Sequence, residues 1–147
     1  MIEVTAKPTK PIEIPEEREY VSELGFKIII PNGYNIEEVN NSLKNVIIKK
    51  EINYERYLPI TNFDNIISFV RYLETKNNIK IKIENKLKIN NYESAKGLIK
   101  YPISGRELKR TFFIMPDNWV VYTFSTSSPE LYEDLEKIVR SFEYTGN

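Results

Sequence analysis

The sequence has no cysteine and no histidine in 147 residues. Without cysteine there is no disulfide, no thiolate nucleophile, no iron–sulfur ligand and no thiolate zinc site. Without histidine the commonest general base near neutral pH is missing. Zinc, copper and non-haem iron sites draw on imidazole or thiolate, so neither a transition-metal site nor any cofactor is expected. Composition leaves open only an oxygen-ligated calcium or magnesium site. Glycine is also scarce, with five residues and no cluster. The glycine-rich phosphate loop, the G-x-S-x-G elbow and the HExxH motif are all absent. No run of about 18 apolar residues occurs, so no membrane-spanning helix is expected. The opening Met1-Ile2-Glu3-Val4 lacks the basic and apolar regions of a signal peptide.

What is present fits one globular core. Apolar residues make up 41% and charged residues 29%, too apolar for wholesale disorder. The formal charge is zero but unevenly spread. Residues 1–43 carry four basic and eight acidic side chains (net −4), residues 44–110 carry 15 and seven (net +8), and residues 111–147 carry two and six (net −4). Such asymmetry marks either a polyanion-binding face or one solvated face of a sheet.

Residues 1–19, with Pro8, Pro11 and Pro15, read as a leader or linker, and residues 20–147 as a single domain. Tyr20-Val21 and Phe26–Ile30 are strand-like, and Pro31-Asn32-Gly33-Tyr34 is a turn. Residues 36–43 are expected to form a short helix and Val46-Ile47-Ile48 a strand. Thr61-Asn62 is a plausible N-cap for a helix over 63–76, whose Phe63, Ile66, Ile67, Val70 and Leu73 share one face; Asn77-Asn78 ends it. Ile79, Ile81, Ile83, Leu87 and Ile89 then alternate with Lys80, Lys82, Glu84, Lys86 and Lys88, the clearest strand pattern in the chain. After the Asn90-Asn91 turn, strands are expected over 92–101, 106–115 and 119–125. A two-residue turn at Pro116-Asp117 would set Phe113 opposite Val120 and Phe112 opposite Val121, with apolar pairs on both faces. Ser127, Ser128 and Pro129 open a last helix with the stripe Leu131, Leu135, Ile138, Val139 and Phe142.

The sharpest surface feature is Lys80, Lys82, Lys86 and Lys88. Their shared parity predicts that they face solvent together, as a surface for anionic headgroups, a wall polymer or an acidic protein. Lysines on an outer strand also discourage edge-to-edge pairing. Arg106 and Arg110 with Trp119 and Tyr122 would make a nucleic-acid patch if they met. The zero net charge argues against that, and Trp119 is expected in or beside the core. The acidic pairs Glu16-Glu17 and Glu37-Glu38 read as solvated neighbours, so no catalytic residue is assigned.

With its elements in order, the chain resembles the PsbP-like fold family over about residues 20–143. The resemblance rests on Phe26-Lys27-Ile28-Ile29-Ile30-Pro31-Asn32-Gly33-Tyr34 and on Leu87-Lys88-Ile89-Asn90-Asn91-Tyr92-Glu93-Ser94-Ala95. Toward the end it rests on Trp119-Val120-Val121-Tyr122-Thr123-Phe124, Ser128-Pro129-Glu130-Leu131-Tyr132 and Ile138-Val139-Arg140-Ser141-Phe142. It implies an α+β domain in which a central antiparallel sheet of about six strands lies between helices (α-β-α), and it implies no enzyme activity, because members mostly bind other macromolecules. With no histidine, imidazole ligands proposed for photosynthetic members do not carry over. The proline-rich leader fits the tether of a lipid-anchored bacterial envelope protein, whose acylated cysteine is not among these residues.

The function expected from all this is a non-catalytic, extracytoplasmic binding or assembly-scaffold domain with a protein or envelope-polymer partner, close to a membrane and not bound to nucleic acid. The alternatives are a cytoplasmic protein-binding module of the same fold and, from another class, a hydrolase using carboxylates with tyrosine or lysine.

Overall fold

The computed structural model describes residues 16–58, 63–105 and 107–146. The leader expected over 1–19 therefore lies mostly outside the described residues. Its last residues belong to the domain, because β1 (Arg18–Ser22) already pairs with β2 (Phe26–Ile30). Gly25 holds the turn between them at φ +100°, and a Cβ there would meet the Tyr122 hydroxyl at 2.7 Å. Only glycine suits both demands.

Next comes a meander. β3 (Tyr34–Glu37) turns back into β4 (Ser42–Asn45), and β4 into β5 (Glu51–Tyr57). This corrects two expectations. Residues 36–43 are not a helix, since they hold the end of β3, a turn and the start of β4. Val46-Ile47-Ile48 is the β4–β5 turn, not a strand, and Ile47 and Ile48 are exposed. Local propensity favoured a β-branched strand there, but the pairing of Leu43 with both Ile36 and Ile52 fixes the strands one step earlier.

Helix α1 (Ile66–Asn77) starts a turn later than expected. Asn65 is its N-cap, accepting from the Ser68 amide at 2.9 Å, and Thr61-Asn62 lies outside the described residues. The Glu93 carboxylate takes the Ile66 amide at 2.7 Å, and Asn78 closes the helix in the left-handed region. Strands β6 (Lys80–Ile89), β7 (Tyr92–Lys100), β8 (Glu107–Asp117) and β9 (Val120–Thr126) then form consecutive hairpins. One 3-10 turn, Pro129–Leu131, leads into α2 (Tyr132–Arg140) and the short β10 (Glu143–Tyr144). Ser128, at the N-cap of that turn, makes no side-chain capping bond; its amide donates to Thr126 Oγ1 instead.

The main sheet has seven antiparallel strands in the order β3-β4-β5-β9-β8-β7-β6, and a three-stranded sheet runs β1-β2-β10. One face of the main sheet is covered by α1, through Ile66, Phe69, Val70 and Leu73 against Ile81, Ile99, Phe113 and Val121. The other face is covered by α2 together with the small sheet: Leu135, Ile138, Phe142, Phe26 and Ile28 meet Ile52, Phe112, Tyr122 and Phe124. The two helices thus occupy opposite faces. The layering is not a plain α-β-α sandwich, however, because a small sheet shares one outer layer with its helix and strands dominate the fold.

Both faces of the β8–β9 hairpin are apolar, as expected, but in a different register. The turn is at Asn118-Trp119, and Phe112 pairs with Phe124 and Phe113 with Thr123. A bulge between Ile114 and Asp117 absorbs Pro116, which cannot donate to the ladder. Trp119 consequently sits on the turn, 56% exposed and outside the core.

Phe26 ties the layers together. Its ring lies 5.3–5.7 Å from those of Tyr54, Tyr122, Phe124 and Phe142, mostly edge to face. The Leu24 carbonyl accepts from the Tyr122 hydroxyl at 2.6 Å and from Arg56 at 3.3 Å, and the Ile29 amide donates to Ser141 Oγ at 2.7 Å. These bonds seat the small sheet on the larger one.

Candidate functional site

The four lysines singled out from the sequence are all exposed, yet they do not share a face. In β6, Ile83 pairs with Gly97 and Asn85 with Lys96, so Glu84 is an extra residue in a β-bulge. A bulge shifts the parity of everything after it. Before it, Ile81 and Ile83 turn toward α1; after it, Leu87 and Ile89 turn toward α2. Lys80 and Lys82 consequently lie on the α2 side, and Lys86 and Lys88 on the α1 side. Gly97 opposite the bulge is required by close approach, since a Cβ there would meet the Lys82 carbonyl at 3.0 Å and Ile81 Cγ2 at 3.1 Å.

Register assembles a different basic cluster. Lys80 is directly opposite Lys100, and Lys82 is opposite half-buried Leu98, all on the α2 side of the edge hairpin. Lys82 and Lys100 make no ion pair among the described residues. A depression of about 550 Å³ runs along this edge, bounded by the three lysines and Leu98 and, from the α1 side, by Ile79, Ile81, Glu74 and Thr75. Neighbouring cations are ion-paired. Glu136 holds Arg110 at 2.8 Å, Arg140 at 3.4 Å and Lys96 at 3.8 Å, and Arg110 also approaches Glu84 at 3.5 Å and stacks on Tyr132. Arg110 is thereby committed inside the protein, Tyr122 is buried, and Arg106 lies outside the described residues. The nucleic-acid patch built on Arg106, Arg110, Trp119 and Tyr122 does not assemble from the described members.

Helix α1 blocks the same edge. Ile81 points its free amide and carbonyl outward, and Glu74 accepts the amide at 2.7 Å while Arg71 donates to the carbonyl at 3.2 Å. Burial alone would raise the Glu74 pKa, but the Ile81 amide, Arg71 and the charge of Lys80 outweigh it, so the carboxyl titrates below its ordinary value.

A second feature was not anticipated. Glu37, Ser42, Asn53, Ser125, Thr111 and Gly97 are cross-strand partners in one row across the α1 side of the sheet. Where its members are small, at Ser125 and Thr111, the row lies under a trough. Beyond the C-terminal half of α1 it opens into a cavity of about 550 Å³. Thr111, Thr123 and Ser125 form its floor, Ile81, Ile99 and Phe113 its apolar side, and the β7–β8 loop with Ile103 its rim. The Thr111 side chain is 3% exposed, and its hydroxyl has no hydrogen-bond partner among the described residues; the same holds for Ser42 in the same row. The sequence hints at this floor in Thr123 and Ser125, which alternate with Tyr122 and Phe124, but the row exists only once six strands are in register. Among the described residues, no three acidic side chains converge as a metal site would need, and no helix is long and apolar enough to cross a membrane.

No family model matches the chain, and no curated protein matches it in sequence. The fold is shared with solved structures. The cyanobacterial PsbP protein (CyanoP) of Synechocystis superposes with a TM-score of 0.58 at 8% identity, covering 94% of this chain and 98% of that one. A Pseudomonas aeruginosa protein of unknown function aligns with a TM-score of 0.37 at 17% identity, over 83% of this chain and 90% of that one. The chain has a PsbP-like fold.

Proposed function

We propose that this PsbP-like fold serves as a non-catalytic binding domain, tethered outside the cytoplasm, that presents the Lys80–Lys82–Lys100 corner to an anionic partner. One observation carries the reading: Lys80 and Lys100 stand directly opposite each other in an antiparallel pair, with Lys82 two rungs inward on the same side. Like charges directly opposite are destabilising, and among the described side chains no carboxylate pairs with Lys82 or Lys100 to relieve them. A polyanion would supply that relief, and the depression beside Leu98 gives it a place to sit. The proline-spaced residues before β1 suit a tether. The fold also favours binding over chemistry, since PsbP-like domains mostly bind other macromolecules.

The recognised chemistry is phosphate-bearing polyanion, whether lipid headgroup or wall polymer. Vesicles of phosphatidylcholine with phosphatidylglycerol, and soluble poly(glycerol phosphate), separate the two sources. Each lysine near an anionic surface is worth ~1 kcal/mol, so Lys82→Gln with Lys100→Gln should weaken binding at low salt about 30-fold. Lys86→Gln with Lys88→Gln, on the opposite face, should weaken it by less than about threefold on the same scale. Equal losses from both pairs, or no binding to either polyanion at low salt, would refute the proposal.

A further inference from the structure

The geometry points to a lipid bilayer as the anionic partner: the β4–β5 turn and the β7–β8 loop dip Ile47, Ile48 and Ile103 into the headgroup–acyl boundary, and the lysines at their bases meet the phosphates. This rests on the anionic-partner reading above and commits it to one source. Both loops leave the same end of the main sheet. Ser42 and Gly97 belong to one cross-strand row, and Val46 and Tyr101 follow them by four residues each, so the two loops start at the same level. Between the two hairpins the sheet order places β9 alone, which sets the loop centres about 14 Å apart.

At the tips Ile47 is 66% and Ile103 96% exposed, and Ile48 and Tyr101 are exposed beside them. Single exposed apolar residues are ordinary, so the argument turns on their charge setting. Lys49 and Lys50 directly follow Ile48, and Lys100, opposite Lys80, directly precedes Tyr101. Lys50 reaches Glu130 at 3.6 Å, whereas Lys49 and Lys100 make no ion pair among the described residues. At the opposite end of the sheet the exposed tips have acidic neighbours instead: Val39 follows Glu37-Glu38, and Trp119 follows Asp117 by two residues. Apolar side chains flanked by lysines are the pattern of an interfacial anchor.

The backbone of the tips suits that environment. In the β4–β5 turn the Val46 amide donates to the Gly33 carbonyl at 2.7 Å, the Ile48 amide to Asn45 Oδ1 at 2.6 Å and the Lys49 amide to the Asn45 carbonyl at 2.8 Å. In the β7–β8 loop the Gly105 amide closes onto the Tyr101 carbonyl at 2.9 Å, and Pro102 has no amide hydrogen. Groups already paired lose less on leaving water. The chain also enters the domain at this end. Arg18, the first residue of β1, donates to the Tyr34 carbonyl at 3.5 Å, and Tyr34 pairs with Asn45 at the mouth of the β4–β5 turn. A tether leading from Arg18 to a bilayer would hold these loops against it.

Tryptophan fluorescence tests this. In a Trp119→Phe background, Ile47→Trp and Ile103→Trp are each mixed with vesicles of phosphatidylcholine and phosphatidylglycerol. Both emissions should shift to the blue and be quenched by brominated acyl chains, whereas Trp119 of the unaltered chain, at the opposite end, should show neither effect. Ile47→Ser with Ile103→Ser should weaken vesicle binding about 30-fold and leave binding to soluble poly(glycerol phosphate) within about twofold of wild type. The same variant should melt with wild type, because both side chains are exposed. Vesicle binding that the serine pair leaves unchanged, or tryptophans that stay in water on bound vesicles, would overturn the insertion and leave the polyanion reading standing. Binding to poly(glycerol phosphate) alone would do the same, and binding to neither would refute both. Self-association of wild type that the serine pair abolishes, without insertion, would assign the loops to a second copy of the chain and overturn the inference.

Discussion

Deleting Glu84 should leave the fold intact. In the β6–β7 ladder, Ile83 pairs with Gly97 and Asn85 with Lys96, so removing the unpaired Glu84 makes these two pairs consecutive rungs of a regular ladder. Ile81 and Ile83 would keep their places toward α1, and Leu87 and Ile89 theirs toward α2. The loss is confined to the Glu84 carboxylate, which lies 3.5 Å from Arg110 Nε, both side chains being about one-quarter exposed or less. Arg110 keeps Glu136 at 2.8 Å. A partly exposed ion pair of this length is worth ~1 kcal/mol, or a fall in Tm of roughly 3–5 °C for a domain of this size. Glu84→Ala removes the carboxylate but keeps the bulge, so the difference between the two variants isolates the bulge itself, and it should be within ~1 kcal/mol. Chemical denaturation measures both, and methyl contacts from Ile81 to Leu73 and from Leu87 to the Phe142 cluster report the faces. If the deletion costs ~3 kcal/mol more than Glu84→Ala, or if those contacts vanish, the face assignment is wrong.

Phe26→Ala should be among the most damaging single changes, at ~3–5 kcal/mol by denaturation, because it empties the junction where the small sheet meets the main one. Hydrogen exchange should rise first in Arg18–Ile30. On the acid side, Glu74 has a lowered pKa, so its contribution is present above the ordinary carboxylate value and lost as pH falls through the folded value. Glu74→Gln should flatten stability against pH below about pH 4 relative to wild type. On the alkaline side, burial raises Tyr20, Tyr34, Tyr54 and Tyr57, and burial together with the neighbouring Tyr144 pushes Tyr122 up to about 12. Raised tyrosine values mean that stability is complete below about pH 10 and lost above it, so tyrosinate absorbance should appear cooperatively with unfolding. A gradual rise at constant ellipticity would contradict their burial.

Periodicity alone determined much of this protein. The stripes Ile66–Leu73 and Leu131–Phe142 announced two helices, the isoleucine–lysine alternation announced β6, and Asn77-Asn78 and Asn90-Asn91 marked its flanks. Apolar residues on both parities of 112–124 already required a sheet covered on both sides, even though the pairing inferred from Pro116-Asp117 was out of register. That conclusion survived because it depended on which faces are apolar, not on which residues meet. Pairing is a non-local property, and only the tertiary structure decided it. Leu43 chose Ile36 and Ile52 as neighbours, against the local preference of Val46–Ile48 for a strand. One unpaired residue, Glu84, turned a single lysine stripe into two opposite faces and placed Lys100 beside Lys80. The row of Ser42, Asn53, Ser125 and Thr111 draws on strands up to about 80 residues apart in the chain. No local pattern carries such a row, because each strand contributes one residue and the ladder alone sets them in line.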